Sequence, residues 1–266
     1  MSKATGFVTL TTDFGLSDGF VGIMKGVIYS INPSAKLIDI SHDIASQDIQ
    51  TASFILGSAF SFFPKGTVHM VVVDPGVGSD RSAVAVETDN YYFVAPDNGV
   101  LSGVMERISF IKVMELSNKK HFLPEVSNTF HGRDIFAPVS AYLSKGLSID
   151  ELGTKIENLM ERVLPEPEIN QDSITGEIIH IDKFGNLISN IDKKSFEKLV
   201  VNRDFTIEIA GDIINHLSRS YADSSTDKLL AIFDSFGKLE IAANQNRAAD
   251  ILRVHRGEPI RVVMRR

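Results

Sequence analysis

The rhythm of the first quarter of the chain most limits what it can fold into: short apolar runs alternate with stretches of helical period. Phe7 to Leu10 reads as a buried strand. Phe20, Ile23, Val27, Ile28 and Ile31 recur at three- and four-residue spacing, which predicts a helix buried on that face and ended by Pro33. Lys36 to Ile40 is a second strand, and Ile49, Ala52, Leu56, Ala59 and Phe63 line a second helix stopped by Pro64 and Gly66. Val68 to Val73 is a third strand with no charge inside it. This alternation argues for a parallel sheet with helices packed on it. A hairpin of Ala83 to Val86 and Tyr91 to Val94 follows, turning at Asp89-Asn90; then come a strand at Phe110 to Met114 and a helix near Ile135 to Leu143.

After Leu159 the pattern changes. Residues Arg162 to Glu168 are rich in Pro and acid without a period, as a linker would be. Beyond them, Glu177 to Ile181, Phe205 to Ile209, Leu229 to Phe233, Lys238 to Ala242 and Ile260 to Met264 are strand-like, and helical pattern is sparse. The expected fold is α/β: an N-terminal α/β/α sheet domain over residues 1–162, then a smaller, mostly-β, barrel-like domain over 171–266. A length of 266 residues suits two domains.

Composition removes several function classes. The net charge of −7 argues against nucleic acid as a partner, because phosphate binding needs clustered Lys and Arg. The absence of cysteine excludes disulfides, thiolate metal sites and cysteine nucleophiles. The N-terminus lacks a signal-peptide run, and the apolar stretch Ala52 to Phe63 is too short to span a bilayer. A cytoplasmic protein without a membrane partner is expected.

Ligands of parallel α/β sheets collect at the carboxyl ends of strands. Three polar clusters fall there: Thr11-Thr12-Asp13-Phe14-Gly15, Ser41-His42-Asp43, and Asp74-Pro75-Gly76 running on to Arg81. A fourth, Phe130-His131-Gly132-Arg133-Asp134, precedes a helix. Any one of them could be a cap or a turn; four at one rim favour a cleft. Gly76-Val77-Gly78 is not a dinucleotide fingerprint, because a strand pattern follows it where a helix is required. Asp13, Asp18, His42, Asp43, Asp74 and His131 offer oxygen and nitrogen ligands, and Thr12 to Asp18 is distantly similar to the start of nucleoside hydrolases. No tight ligand spacing accompanies them, so no metal is expected. In the second half, Asp182 and Asn186 flank a Phe-Gly turn, Phe233 to Glu240 reads as a hairpin, and Tyr221 is a packing lid or a stacking surface.

Taken together, Leu10 to Gly15, Val72 to Gly78, Ala95 to Gly99, Thr129 to Asp134, Asp182 to Asn186 and Ser235 to Gly237 resemble, in order and over nearly the whole chain, the S-adenosylmethionine (SAM) hydrolase family, the SAM hydroxide adenosyltransferases related to fluorinase and chlorinase. The resemblance implies a catalytic trio of Asp74, Arg81 and His131. Fluorinase-like members carry Tyr at the first of these positions, read Phe-Tyr-Ser in place of Phe-His-Gly, and hold an insertion that the tight connection Glu87 to Tyr91 lacks. Hydrolysis, not halogenation, is therefore what the resemblance implies. It further implies that Asp13 holds the ribose hydroxyls, that Asp182 and Asn186 contact the methionine end and adenosine, and that Tyr221 stacks on adenine. Ser235 would bind the methionine carboxylate beside Phe236, where fluorinase has Arg, and Glu240 would engage the amino group. The family's homotrimers place each site between the first domain of one subunit and the second domain of its neighbour.

The expected reaction is metal-independent hydrolysis of SAM to adenosine and methionine, by in-line attack of an activated water on the ribose 5′ carbon, with no cofactor. A non-catalytic adenosine or SAM sensor and a metal-dependent nucleoside hydrolase are the alternatives.

Overall fold

The computed structural model describes residues 3–161, 165–201 and 203–265. The chain divides into two compact units, Met1–Val163 and Leu164–Arg266. Residues 162–164 of the expected linker lie outside the described residues; within the rest of it, Glu168 already begins a strand.

Unit 1 opens β1 (Phe7–Thr12), α1 (Phe20–Ile31), β2 (Lys36–Ser41), α2 (Ile49–Ala59) and β3 (Val68–Val72). The hairpin β4 (Ala83–Glu87) and β5 (Tyr92–Pro96), the short α3 (Ser102–Met105), β6 (Lys112–Leu116), α4 (Ala137–Ser144) and β7 (Gly153–Ile156) complete it. The sheet order is β2-β1-β3-β5-β4-β6-β7. The first four in that order pair in parallel, and β4, β6 and β7 are antiparallel, so the sheet is mixed. One face is covered by α1 and α4 around Leu10, Met70, Val94 and Phe136; the other by α2 and α3 around Val71, Phe93, Ala95 and Val104. This is the three-layer arrangement that the helix–strand alternation calls for.

The buried stripe of α1 matches the expected one in its second half and departs from it in the first. Ile28 is buried and Val27 and Ile31 pack against the core, but Phe20 and Ile23 are 44% and 47% exposed, and Val21 and Met24 are buried in their place. Val21, Met24 and Ile28 also satisfy a three-to-four residue period, and the helix is turned so that they meet the core. One buried histidine is purely a core residue. His69 lies among Phe60, Phe63, Tyr91 and Phe93 with Nδ1 2.8 Å from Thr9 Oγ1, and burial pushes its pKa down to about 3.

Unit 2 contains β8 (Glu168–Ile169), β9 (Ser173–Ile181), β10 (Leu187–Asp192), α5 (Lys193–Val200), β11 (Phe205–Ile209), β12 (Asp212–Ile214), β13 (Leu229–Phe233), β14 (Lys238–Ala243), α6 (Ala248–Leu252) and β15 (Pro259–Met264). Its antiparallel order is β12-β11-β15-β9-β10-β14-β13, with β8 added to β9. Leu217, just past β12, bridges Ala231 of β13, which nearly closes the sheet into a barrel. Ile178, Ile191, Ile207, Leu239, Ile241 and Val262 fill it.

Candidate functional site

The carboxyl ends of β1 and β3 and the segment before α4 converge on a cavity of about 370 Å³ in unit 1. Asp13, Phe14, Phe20, Gln47, Asp74, Phe130 and His131 are among its walls. Asp74 follows the fully buried β3, where the backbone leaves the sheet, and the loop after it doubles back to bring Arg81 onto the carboxylate. Arg81 Nε lies 2.9 and 3.0 Å from the two Asp74 oxygens, and its Nη2 also donates to Asp74 Oδ2. The same Nη2 donates to His131 Nδ1 at 2.8 Å. One guanidinium thus links the other two members of the expected trio. It stands over the Phe136 ring with its side chain 8% exposed, and that of Asp74 is 5% exposed, so the pair works in low dielectric.

His131 opens a π-helical turn, Gly132–Phe136, that runs into α4. Such turns are uncommon and concentrate at functional positions. Asp134, inside the turn, is fully buried and accepts from the backbone N–H and the hydroxyl of Ser127 at 2.8 Å each, as well as from Arg133. Ser127 Oγ in turn accepts the Phe130 N–H, so Asp134 ties down the loop that carries His131 rather than serving as a plain helix cap. Gly78, at φ +78°, lets the Asp74–Arg81 loop lie against this segment; a Cβ there would run into the Asn128 carbonyl oxygen. Burial, and after it the charge of Arg81, holds the His131 pKa below the ordinary imidazole value, against the pull of Asp74 and Asp134.

Asp13 sits in the turn after β1, and its Oδ2 accepts the Gln47 N–H at 2.7 Å. Phe14, Phe20 and Phe130 pack mutually at 5.3–5.9 Å between ring centres and form an apolar wall. Of the metal-ligand candidates, Asp18 and Asp43 are exposed, and among the described residues no group of three or more His, Asp or Glu is placed to share an ion.

Unit 2 has a cavity of about 670 Å³ of its own, walled by Asp182, Phe184, Asn186, Tyr221, Asn246 and Arg247 among others. Asp182 Oδ1 accepts the N–H groups of Phe184 and Asn186, and its Oδ2 accepts from the Asn186 side chain at 3.0 Å, which makes the turn after β9 rigid. Tyr221 lies in a short 3₁₀ turn, 45% exposed, and donates its hydroxyl to Glu240 Oε1 at 2.9 Å. Glu240, on β14, is 3% exposed; burial pushes its carboxyl up to about 7 and the Tyr221 phenol up to about 12. Ser235 and Phe236 occupy the exposed turn between β13 and β14 and are not among the residues that wall this cavity.

Several cavity residues carried no signal that set them apart in the sequence. Phe20 reads as a helix core position, and Gln47 as a loop polar. Arg247, which donates to the Lys183 carbonyl, follows a polar run, Asn244-Gln245-Asn246, that in hindsight marks a strand-end loop.

Comparison with known proteins gives one family. The SAM hydroxide adenosyltransferase N-terminal domain matches residues 8–153 and the corresponding C-terminal domain residues 176–261. The chain is 35% identical over 261 residues to a Salinispora tropica protein named (R)-S-adenosyl-L-methionine hydrolase, covering 97% of this chain and 98% of the relative. A Methanocaldococcus jannaschii protein of the same name is 34% identical, with 96% and 95% covered. A crystal structure of an uncharacterized conserved protein from Thermotoga maritima superposes with a TM-score of 0.91 at 38% identity, covering 96% of this chain and 99% of that one. The chain belongs to the SAM hydroxide adenosyltransferase family.

Proposed function

We propose that this protein hydrolyses SAM to adenosine and methionine, with Asp74, Arg81 and His131 activating the water. The observation that carries the reading is the single guanidinium bonded to both Asp74 and His131, two residues that wall the same cavity as Asp13. The relatives' name specifies the (R) sulfonium, and that isomer is the proposed substrate.

The sulfonium is already a good leaving group, so what the protein must supply is a nucleophile. Free water, with a pKa of about 15.7, has to lose a proton as it attacks. Arginine offers only donors, so His131 Nδ1 accepts from Arg81 and the neutral ring carries its proton on Nε2. In that tautomer His131 donates to the water and orients it. Asp74 is then the group that takes the proton, while Arg81 holds the carboxylate in place and stabilises the developing hydroxide. The water oxygen bonds to the 5′ carbon, the carbon–sulfur bond breaks, and its electron pair stays on sulfur as the neutral thioether of methionine. Holding water, carbon and sulfur in line supplies several kcal/mol, and base assistance adds about 10²–10⁴-fold.

Asp13 would grip the ribose hydroxyls. Asp182 and Asn186 would contact the methionine end and adenosine, Tyr221 would stack on adenine, and Ser235 with Phe236 would meet the methionine carboxylate. Glu240 would serve the amino end. A cytoplasmic homotrimer, in which unit 1 of one subunit and unit 2 of another share a substrate, accounts for these residues dividing between two units. No helix among the described residues is long and apolar enough to cross a membrane.

The test is chromatography of the protein incubated with (R)-SAM, with and without chelator. Adenosine and methionine in equal amounts, unaffected by chelator, are the expected products. Free adenine that disappears with chelator would instead mean nucleoside hydrolysis, and tight binding without product would mean a sensor.

A further inference from the structure

The cluster at the end of β2, Ser41-His42-Asp43, has no part in the reaction proposed above, yet His42 is 4% exposed and hydrogen-bonded through both its ring and its carbonyl. Its Nδ1 stands 2.8 Å from Thr12 Oγ1, and its carbonyl accepts the Gly15 N–H at 2.8 Å. Thr12 Oγ1 also accepts the Phe14 N–H at 3.2 Å. His42 therefore grips the turn on both sides of Asp13, at Thr12 and at Gly15, whose φ of +65° closes it. On the far side of the ring, Nε2 lies 3.0 Å from Asp39 Oδ1, and Asp39 Oδ2 accepts from Lys25 at 2.6 Å.

Thr12 Oγ1 receives the Phe14 N–H and also shares a hydrogen bond with His42 Nδ1, so one hydroxyl ties the ring to the start of the turn. Among the described residues Asp13 is anchored through one oxygen, to the Gln47 N–H. The direction of its carboxylate is set by that bond together with the backbone of the turn, and that backbone is held by His42. His42 is not among the residues that wall the cavity, whereas Asp13, in the turn it holds, is.

We propose that His42 is a positioning residue for Asp13, fixing the turn after β1 so that the carboxylate meets the ribose hydroxyls. The inference rests on the ribose-binding reading of Asp13. A first contact aimed by a rigid second layer loses affinity when that layer is cut, even though no substrate contact is deleted.

The experiment measures KM and kcat for SAM and for its analogue lacking both ribose hydroxyls, in the wild type and in His42→Ala, His42→Asn, Thr12→Val and Asp13→Asn. His42→Ala and Thr12→Val should raise KM for SAM roughly fivefold to tenfold, the worth of one hydrogen bond, and leave kcat in place. On the analogue both should match the wild type, because the contact they aim is missing. His42→Asn, whose amide reaches the Nδ1 position, should restore KM. Thr12→Val cuts the same bond without opening a cavity, so it carries the test if His42→Ala does not fold. An equal rise in KM on both substrates, a loss confined to kcat, or no rescue by asparagine overturns the proposal. If Asp13→Asn discriminates between the substrates as well as the wild type does, the ribose reading fails and this inference falls with it. If Asp13→Asn loses that discrimination while His42→Ala and Thr12→Val keep it, only the role of His42 is overturned.

Discussion

Arg81 Nη2 stands 2.8 Å from His131 Nδ1, and because a guanidinium cannot accept a hydrogen bond, the contact decides where the imidazole proton resides. A neutral ring therefore carries its proton on Nε2, which in the reaction proposed above makes His131 the donor to the water and Asp74 the proton acceptor.

This arrangement has a pH signature. The His131 pKa is depressed, first by burial and then by Arg81, and protonation of the ring would set a second cation against the guanidinium. Activity requires the neutral ring. It should therefore hold steady through neutral pH and fall only on the acid side of the ordinary imidazole value of about 6.5. A profile of kcat/KM against pH checks this; an acid limb centred above that value would contradict it.

Asp74→Ala removes both the proposed base and the carboxylate that Arg81 holds through Nε and Nη2. We expect kcat to drop by roughly 10²–10⁴-fold and stability to fall by about 3 kcal/mol, since a charge is left buried without its partner. Adenosine release and urea denaturation measure the two separately. Arg81→Lys should also fail, because an ammonium cannot reproduce the planar fork that reaches Asp74 and His131 together; each charge-assisted bond lost costs about tenfold or more in rate.

Gly78→Ala tests the fit between the two loops. The new methyl group meets the Asn128 carbonyl oxygen, and alanine is strained at φ +78°. A loss of about 1–3 kcal/mol in stability is expected. It should be accompanied by reduced kcat, because Asp74 and His131 are carried by the two segments that are pushed apart.

Glu240 also makes a prediction about stability. Its folded-state pKa of about 7 lies above the ordinary value of 4.5, so the native chain binds the extra proton between those two values. Stability contributed by this group is full below about pH 4.5 and is lost as pH rises toward 7. Glu240→Gln keeps an oxygen for Tyr221 and cannot ionise. It should become more stable relative to the wild type between pH 5 and 8, by up to about 3 kcal/mol, and urea midpoints at those two pH values decide the matter.

Much of unit 1 was legible because its strands and helices differ in period: β1 to β3 and the two helices between them follow directly from the spacing of apolar residues. The face that the first half of α1 buries was not. Phe20 and Ile23 are as apolar as Val21 and Met24, and only the position of α4 and the sheet selects between them. In unit 2, β10 escaped the pattern because Ser189 and Asn190 are polar residues inside it. They are tolerated because Ser189 donates to the Leu239 carbonyl and Asn190 to the Pro165 carbonyl. The helix α5, capped by the Asp192 side chain on the Ser195 N–H, was likewise hidden in a short amphipathic stretch.

The same division holds for the site. Residue types and their order along the chain were enough to single out Asp13, Asp74, Arg81 and His131, because polar groups at strand ends stand out against apolar runs and because their motifs resemble one family. Position in the chain carries no information about which nitrogen of a ring faces which donor. The proton on His131 Nε2, the grip of His42 on the turn of Asp13 and the burial of Glu240 beneath Tyr221 arise from groups 19 to 50 residues apart. Hydrogen bonds and desolvation act over a few ångströms of space, and only the folded chain brings those groups that close.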